Sequence, residues 1–130
     1  MGLDTYAYYG KGHDKYVEDG DNCLPDHIFN HVRLCGGIFS GGGASFRGKV
    51  YADFVEWVTG ESLYSERIEH DVVVEMAKDF VKYEARGEKE FNRFCTETGN
   101  VWDLNYNETL DLAEWFVIAA DNGAEIVGWY

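Results

Sequence analysis

An α+β fold, four or five helices packed with a small antiparallel sheet, follows from three features of this sequence. The segments Thr5-Tyr6-Ala7-Tyr8-Tyr9 and Ala124-Glu125-Ile126-Val127-Gly128-Trp129-Tyr130 are rich in β-forming residues, and glycines flank them at Gly10 and Gly123. Between them apolar residues recur at helical spacing, most clearly in Val72, Val73, Met76, Ala77, Phe80 and Val81. Glycines punctuate the chain where those helical runs stop. Pairing of the two terminal strands would tie the ends of the domain together, with the helices around the resulting sheet.

Taken in order, the segment after the first strand, Lys11 to Asn22, is polar and carries Glu18-Asp19-Gly20-Asp21-Asn22, so it reads as an exposed loop. Pro25 suits a first helical position, and a short helix is predicted from there through Leu34, closed by Gly36-Gly37, with Ile28, Val32 and Cys35 on one face. Ile38-Phe39-Ser40 reads as a short strand. A second helix starts near Ser45 or Arg47 and runs to Thr59, with Val50, Tyr51, Phe54, Val55 and Val58 at helical spacing and Gly60 as its cap. Glu61 to Glu69 is a connector. The third helix precedes Gly87, and Glu88 to Thr98 forms a shorter one holding Phe91, Phe94 and Cys95. A loop from Gly99 to Tyr106 is anchored by Trp102 and Leu104. Asn107 is the predicted N-cap of the last helix, whose stripe is Leu110, Ala113, Phe116, Val117 and Ala120, ended by Asp121-Asn122-Gly123. No repeat or linker interrupts residues 1–130, so one compact domain is expected.

The composition narrows the function. Eleven Lys and Arg against 24 Asp and Glu give a net charge of −13, which repels nucleic-acid phosphates and anionic lipids. No apolar run is long enough to span a membrane. The start Met1-Gly2-Leu3-Asp4 lacks the basic and apolar regions of a secretion signal, and Tyr6 stands where a myristoylation pattern needs Ser or Thr. Cys23, Cys35 and Cys95 are odd in number and form no C-x-x-C pair, the usage of reduced thiols in the cytoplasm. Asn107-Glu108-Thr109 matches a glycosylation sequon but reads as a helix cap in that compartment.

The candidate site is the segment Leu34 to Lys49. Five glycines fall between Gly36 and Gly43, and Gly48 follows. Each costs chain entropy on folding, so their clustering means that the main chain itself approaches something closely. Gly43-Ala44-Ser45-Phe46-Arg47-Gly48-Lys49 satisfies the G-x-x-x-x-G-K half of a phosphate-binding loop. Val50 then replaces the Ser or Thr that would hold magnesium, and the larger α/β body is missing. An anion site of another kind fits better. From His27 to Ala52 no Asp or Glu occurs where the chain average gives about five, while Arg33, Arg47 and Lys49 fall there. The segment also leads into a predicted helix N-terminus, where free N–H groups favour an anion. A small anionic ligand, phosphate- or carboxylate-bearing, would be held by Ser40, Gly41, Gly42, Gly43, Ser45, Arg47 and Lys49. In the competing reading these glycines serve only close packing.

Other chemistry is weaker. His27 and His31 are four apart, a metal-binding spacing on a helix, with His13 or Asp26 as third ligand, but no residue pattern fixes that third group, so no metal and no cofactor are assigned. Cys35 beside Gly36-Gly37 would need a base, His31 or His70, to act as a nucleophile, and a buried unreactive thiol is the plainer reading. Glu66, Glu69, His70 and Asp71 read as a helix entry carrying favourable negative charge. Tyr8, Tyr9, Trp57, Trp115, Trp129 and Tyr130 exceed what one small core hides easily, which points to an apolar surface for self-association or a protein partner. The sequence thus favours a non-enzymatic binding or assembly module: a small-anion binder, or alternatively a homo-oligomeric or protein-interaction module whose glycines are structural.

The opening Met1-Gly2-Leu3-Asp4-Thr5-Tyr6-Ala7 and the box Leu34-Cys35-Gly36-Gly37, Phe39-Ser40-Gly41-Gly42 and Ser45-Phe46-Arg47-Gly48-Lys49-Val50-Tyr51 carry a resemblance, together with Thr59-Gly60, Ser62-Leu63-Tyr64 and the ending Val127-Gly128-Trp129. With these the chain resembles a family of short uncharacterised bacterial and phage proteins. The resemblance is poor over Lys11 to Asn22 and Ala85 to Tyr106. It implies a microbial or phage origin and transfers no catalytic or binding role.

Overall fold

A computed structural model describes residues 3–30, 32–36 and 43–129. The alternating first segment forms strand β1 (Asp4–Tyr9), and the last forms β4 (Ala124–Trp129). The two pair antiparallel over their whole length, from Asp4 opposite Trp129 to Tyr9 opposite Ala124. Short strands β2 (Ser45–Arg47) and β3 (Arg67–Ile68) complete a four-stranded antiparallel sheet in the order β2-β1-β4-β3. The α+β reading and the pairing of the terminal strands are therefore correct.

Four α-helices lie among the described residues: α1 (Gly48–Thr59), α2 (His70–Arg86), α3 (Glu88–Thr98) and α4 (Tyr106–Asp121). Gly60 and Gly99 take left-handed conformations (φ 77° and 81°) that let α1 and α3 stop within one residue. The strand alternation directs Leu3, Thr5, Ala7 and Tyr9 into the protein, where they are buried with Phe46, Ile68 and Ile126. Trp115 of α4 is fully buried at the centre, stacked on Phe29 at 5.2 Å and edge-on to Phe46 at 4.8 Å. A second aromatic group forms where α1, α2 and α3 meet, with Phe54 against Tyr83 at 5.0 Å and Phe94 at 5.1 Å. Beside it Glu90, 4% exposed, accepts hydrogen bonds from Arg86 at 2.9 Å and Arg93 at 2.7 Å, which binds the end of α2 to α3.

Several expectations are corrected. The helix predicted from Pro25 through Leu34 is only a 3-10 turn, Asp26–Phe29, with Pro25 just before it. Tertiary bonds override local propensity there: Asp26 accepts the Ala44 N–H, and Cys35 gives its N–H to the Tyr51 hydroxyl and its carbonyl to the Arg47 N–H. His31 and the strand expected at Ile38-Phe39-Ser40 lie outside the described residues. The second helix begins at Gly48, because Ser45, Phe46 and Arg47 are drawn into a strand opposite Tyr6, Thr5 and Asp4. Asn107 does not cap α4. Asn105 does, accepting from the Glu108 N–H at 2.8 Å while Glu108 returns a bond to the Asn105 N–H, a capping box. Val81 is 53% exposed, whereas Tyr83, unassigned from the sequence, is buried with its hydroxyl 2.7 Å from Thr109 Oγ1. In α4 the fully buried residues include Leu112, Trp115 and Ala119, beyond the expected stripe, since this helix touches α2 and the sheet together. The segment after β1 is the expected exposed loop, and it is pinned by side-chain bonds. Asn22 bonds the Val17 N–H and the carbonyls of Val17 and Gly20, and the chain returns beside β1 with Leu24 N–H on the Ala7 carbonyl.

Candidate functional site

Ser40, Gly41 and Gly42 of the expected anion site lie outside the described residues. The structure places the other four in three different settings. Gly43 has φ 69°, and a Cβ there would lie 2.4 Å from Asp26 Oδ1. Its carbonyl accepts the Trp115 indole N–H at 2.8 Å. Ser45 and Arg47 are two apart in β2, Ser45 buried and Arg47 exposed, opposite Tyr6 and Asp4. Lys49 sits in the first turn of α1, its Nζ 5.4 Å from the ring of Trp102. Three of the N–H groups at this end of the segment are engaged within the fold. Ala44 N–H goes to Asp26, Arg47 N–H to Cys35 and Gly48 N–H to Leu3. A Cβ at Gly48 would lie 2.1 Å from Thr5 Oγ1, so the start of α1 is pressed directly on β1. Of the three described glycines of the segment, Gly43 and Gly48 are therefore places where other groups press on the main chain, while Gly36 is exposed.

Of the weighed histidine pair, His27 lies in the 3-10 turn and His31 lies outside the described residues. Among the described residues no group of three or more His, Cys, Asp and Glu is placed to hold a metal ion. The His70 ring is engaged elsewhere, with Nδ1 3.0 Å from the Ala124 carbonyl.

Cys35 is exposed, contrary to the expected burial, while Cys23 and Cys95 are half-buried. Burial, reinforced by the charges of Asp21 and Asp26, pushes the Cys23 thiol up to about 11. Iodoacetamide at pH 7.5 is expected to label the native protein at Cys35 well before Cys23, read by peptide mass spectrometry, because Cys23 stays protonated and half-covered. Equal labelling rates at the two would contradict this placement.

The apolar surface is more definite. The face of the sheet opposite the buried one carries Tyr6 and Tyr8 from β1 and Val127 and Trp129 from β4, in register across the two strands. Tyr6 touches Tyr8 edge-on at 6.0 Å and Trp129 at 6.3 Å, so the rings form one row. Trp129 is 62% exposed and the two tyrosines are half-buried. Opposite charges stand on either side. Asp4 faces Arg47 across β1 and β2, and Arg67 is ion-paired to Glu125 on the β3 and β4 side. Of the aromatics suspected from sequence, Trp115 and Tyr9 are buried, Trp57 is half-buried under Arg93, and Tyr130 lies outside the described residues. Alternation along β1 could have singled out Tyr6 with Tyr8, but only the register brings Trp129 beside them.

Among the described residues no helix is long and apolar enough to cross a membrane. No protein-family model, curated protein or solved structure matches this chain.

Proposed function

We propose that the protein is an assembly module in which two copies dock through the outer face of the sheet. The observation that carries this reading is the row Tyr6, Tyr8, Val127 and Trp129 on a face whose reverse side holds the core. Covering Trp129 on each copy would contribute about 2–3 kcal/mol, enough to make that row the centre of an interface. Because the flanks carry both signs, a two-fold related copy can bring Asp4 and Glu125 toward Arg47 and Arg67.

Light scattering after size exclusion tests it. At about 100 μM the wild type is expected to run as a dimer of roughly 30 kDa, against 14.8 kDa for one chain. Trp129→Ser is expected to run as a monomer with its unfolding temperature little changed, since that side chain contributes little to its own core. A monomeric wild type at that concentration contradicts the proposal.

A further inference from the structure

A second site is formed by residues remote in sequence. The pinned loop after β1 crosses the place where α2 starts and α4 ends, and a cleft of about 480 Å³ opens there, within the range of small-ligand sites. Its lining contains His13, His27 and His70, three of the chain's four histidines, together with Lys15. Asp121 is the one acidic side chain among the lining residues, in a chain whose net charge is −13. Cationic and imidazole groups are thus gathered where the overall composition disfavours them.

These groups are also held in place. His13 stacks on Tyr9 with ring centroids 4.6 Å apart, and its Nδ1 lies 3.1 Å from the Lys15 N and 3.0 Å from Oδ1 of Asp14, whose carboxylate is 86% exposed. Lys15 Nζ lies 5.7 Å from the same Tyr9 ring, so one aromatic side chain positions both groups. Gly123, at φ 72°, allows this closure, because a Cβ there would lie 2.5 Å from His13 Cδ2. The Ala124 carbonyl takes the Nδ1–H of His70, so Nε2 can donate to an oxyanion in the imidazolium form of the ring. His70 is also the first residue of the 17-residue helix α2, whose N-terminal dipole adds positive potential at the same wall. Asp121 is exposed, so solvent screens its charge.

We propose that this cleft, built by His13, Lys15, His27 and His70 on the Tyr9 ring, binds a small oxyanion ligand through a phosphate or carboxylate group. The arrangement suits an anion better than a metal, since no three ligating side chains converge among the described residues. It is independent of the sheet face, so the two readings stand or fall separately.

The test titrates the whole protein, at constant pH and ionic strength, with inorganic phosphate and separately with citrate, while the histidine ring resonances are followed by NMR. Saturable shifts at His13, His27 and His70 are expected with at least one anion, at a dissociation constant below about 1 mM. The anion that binds more tightly identifies the group. His27 and Lys15 are exposed, so His27→Gln and Lys15→Gln are expected to keep the unfolding temperature while each weakens binding about tenfold. The proposal is overturned if neither anion gives a saturable shift up to about 20 mM. It is equally overturned if both variants bind as the wild type does, or if equimolar Zn²⁺ saturates the three rings while phosphate and citrate leave them unmoved.

Discussion

Replacing Trp115 with alanine is expected to cost about 3–5 kcal/mol and to lower the unfolding temperature by roughly 10–20 °C. The indole is fully buried among Phe29, Phe46 and Phe116, so its loss opens a cavity in the tightest part of the core. It also removes the N–H that holds the Gly43 carbonyl at 2.8 Å, which frees the end of the glycine segment from α4. Trp115→Phe separates the two effects, because it keeps most of the packing and loses only the indole N–H and part of the ring. Thermal and denaturant unfolding followed by circular dichroism measures both. A loss below about 1 kcal/mol for the alanine variant would mean that Trp115 does not join the glycine segment to the core.

The second large effect concerns Gly48, and there the sign is informative. In an exposed helix, alanine is more favourable than glycine by about 1 kcal/mol, so Gly48→Ala would stabilise α1 if space allowed. Space does not allow it. The added Cβ would lie 2.1 Å from Thr5 Oγ1 and 2.9 Å from Leu3 Cδ2, inside a fully buried contact. Leu3 can yield, since its contact is the far end of a side chain, but Thr5 is fixed on the central strand β1. Overpacking of this kind costs about 1–3 kcal/mol and outweighs the gain in helix propensity. Among the described residues Thr5 Oγ1 is buried without a hydrogen-bond partner, so its contact with Gly48 is one of proximity and not of a polar bond.

Much of the fold was legible because local pattern and tertiary role agree. The β-forming residues of β1 and β4 with their flanking glycines, the long amphipathic run of α2, and the end of α3 before Gly99 all follow from residue type and spacing. What escaped the sequence depends on contacts between distant parts of the chain. Ser45-Phe46-Arg47 becomes a strand only because β1 offers an edge, and Asp26 is spent on the Ala44 N–H and not on a helix of its own. In Asn105-x-x-Glu108 the capping box was present as a pattern, but Asn107 sat closer to the apolar run and obscured it. The site is divided in the same way. That glycines mark close main-chain approach was readable, and Gly43 and Gly48 show such approach. The aromatic surplus was readable as composition, whereas the row itself needs the β1–β4 register. Of the histidine cleft, the sequence offered only His13 as a partner for His27 with nothing to fix it, since His13, His27 and His70 are brought together by a loop, a 3-10 turn and the start of a helix.

The most direct measurement is a double-mutant cycle between Thr5 and Gly48, read as unfolding free energies of the wild type, Gly48→Ala, Thr5→Ala and the pair. If the glycine is there because the Thr5 side chain presses on the main chain of α1, Gly48→Ala destabilises the protein alone, and Thr5→Ala makes room for the new methyl, so the pair is more stable than the sum of the single losses by about 1 kcal/mol or more. Stabilisation by Gly48→Ala, with additive behaviour in the pair, would contradict close main-chain packing as the reason for that glycine.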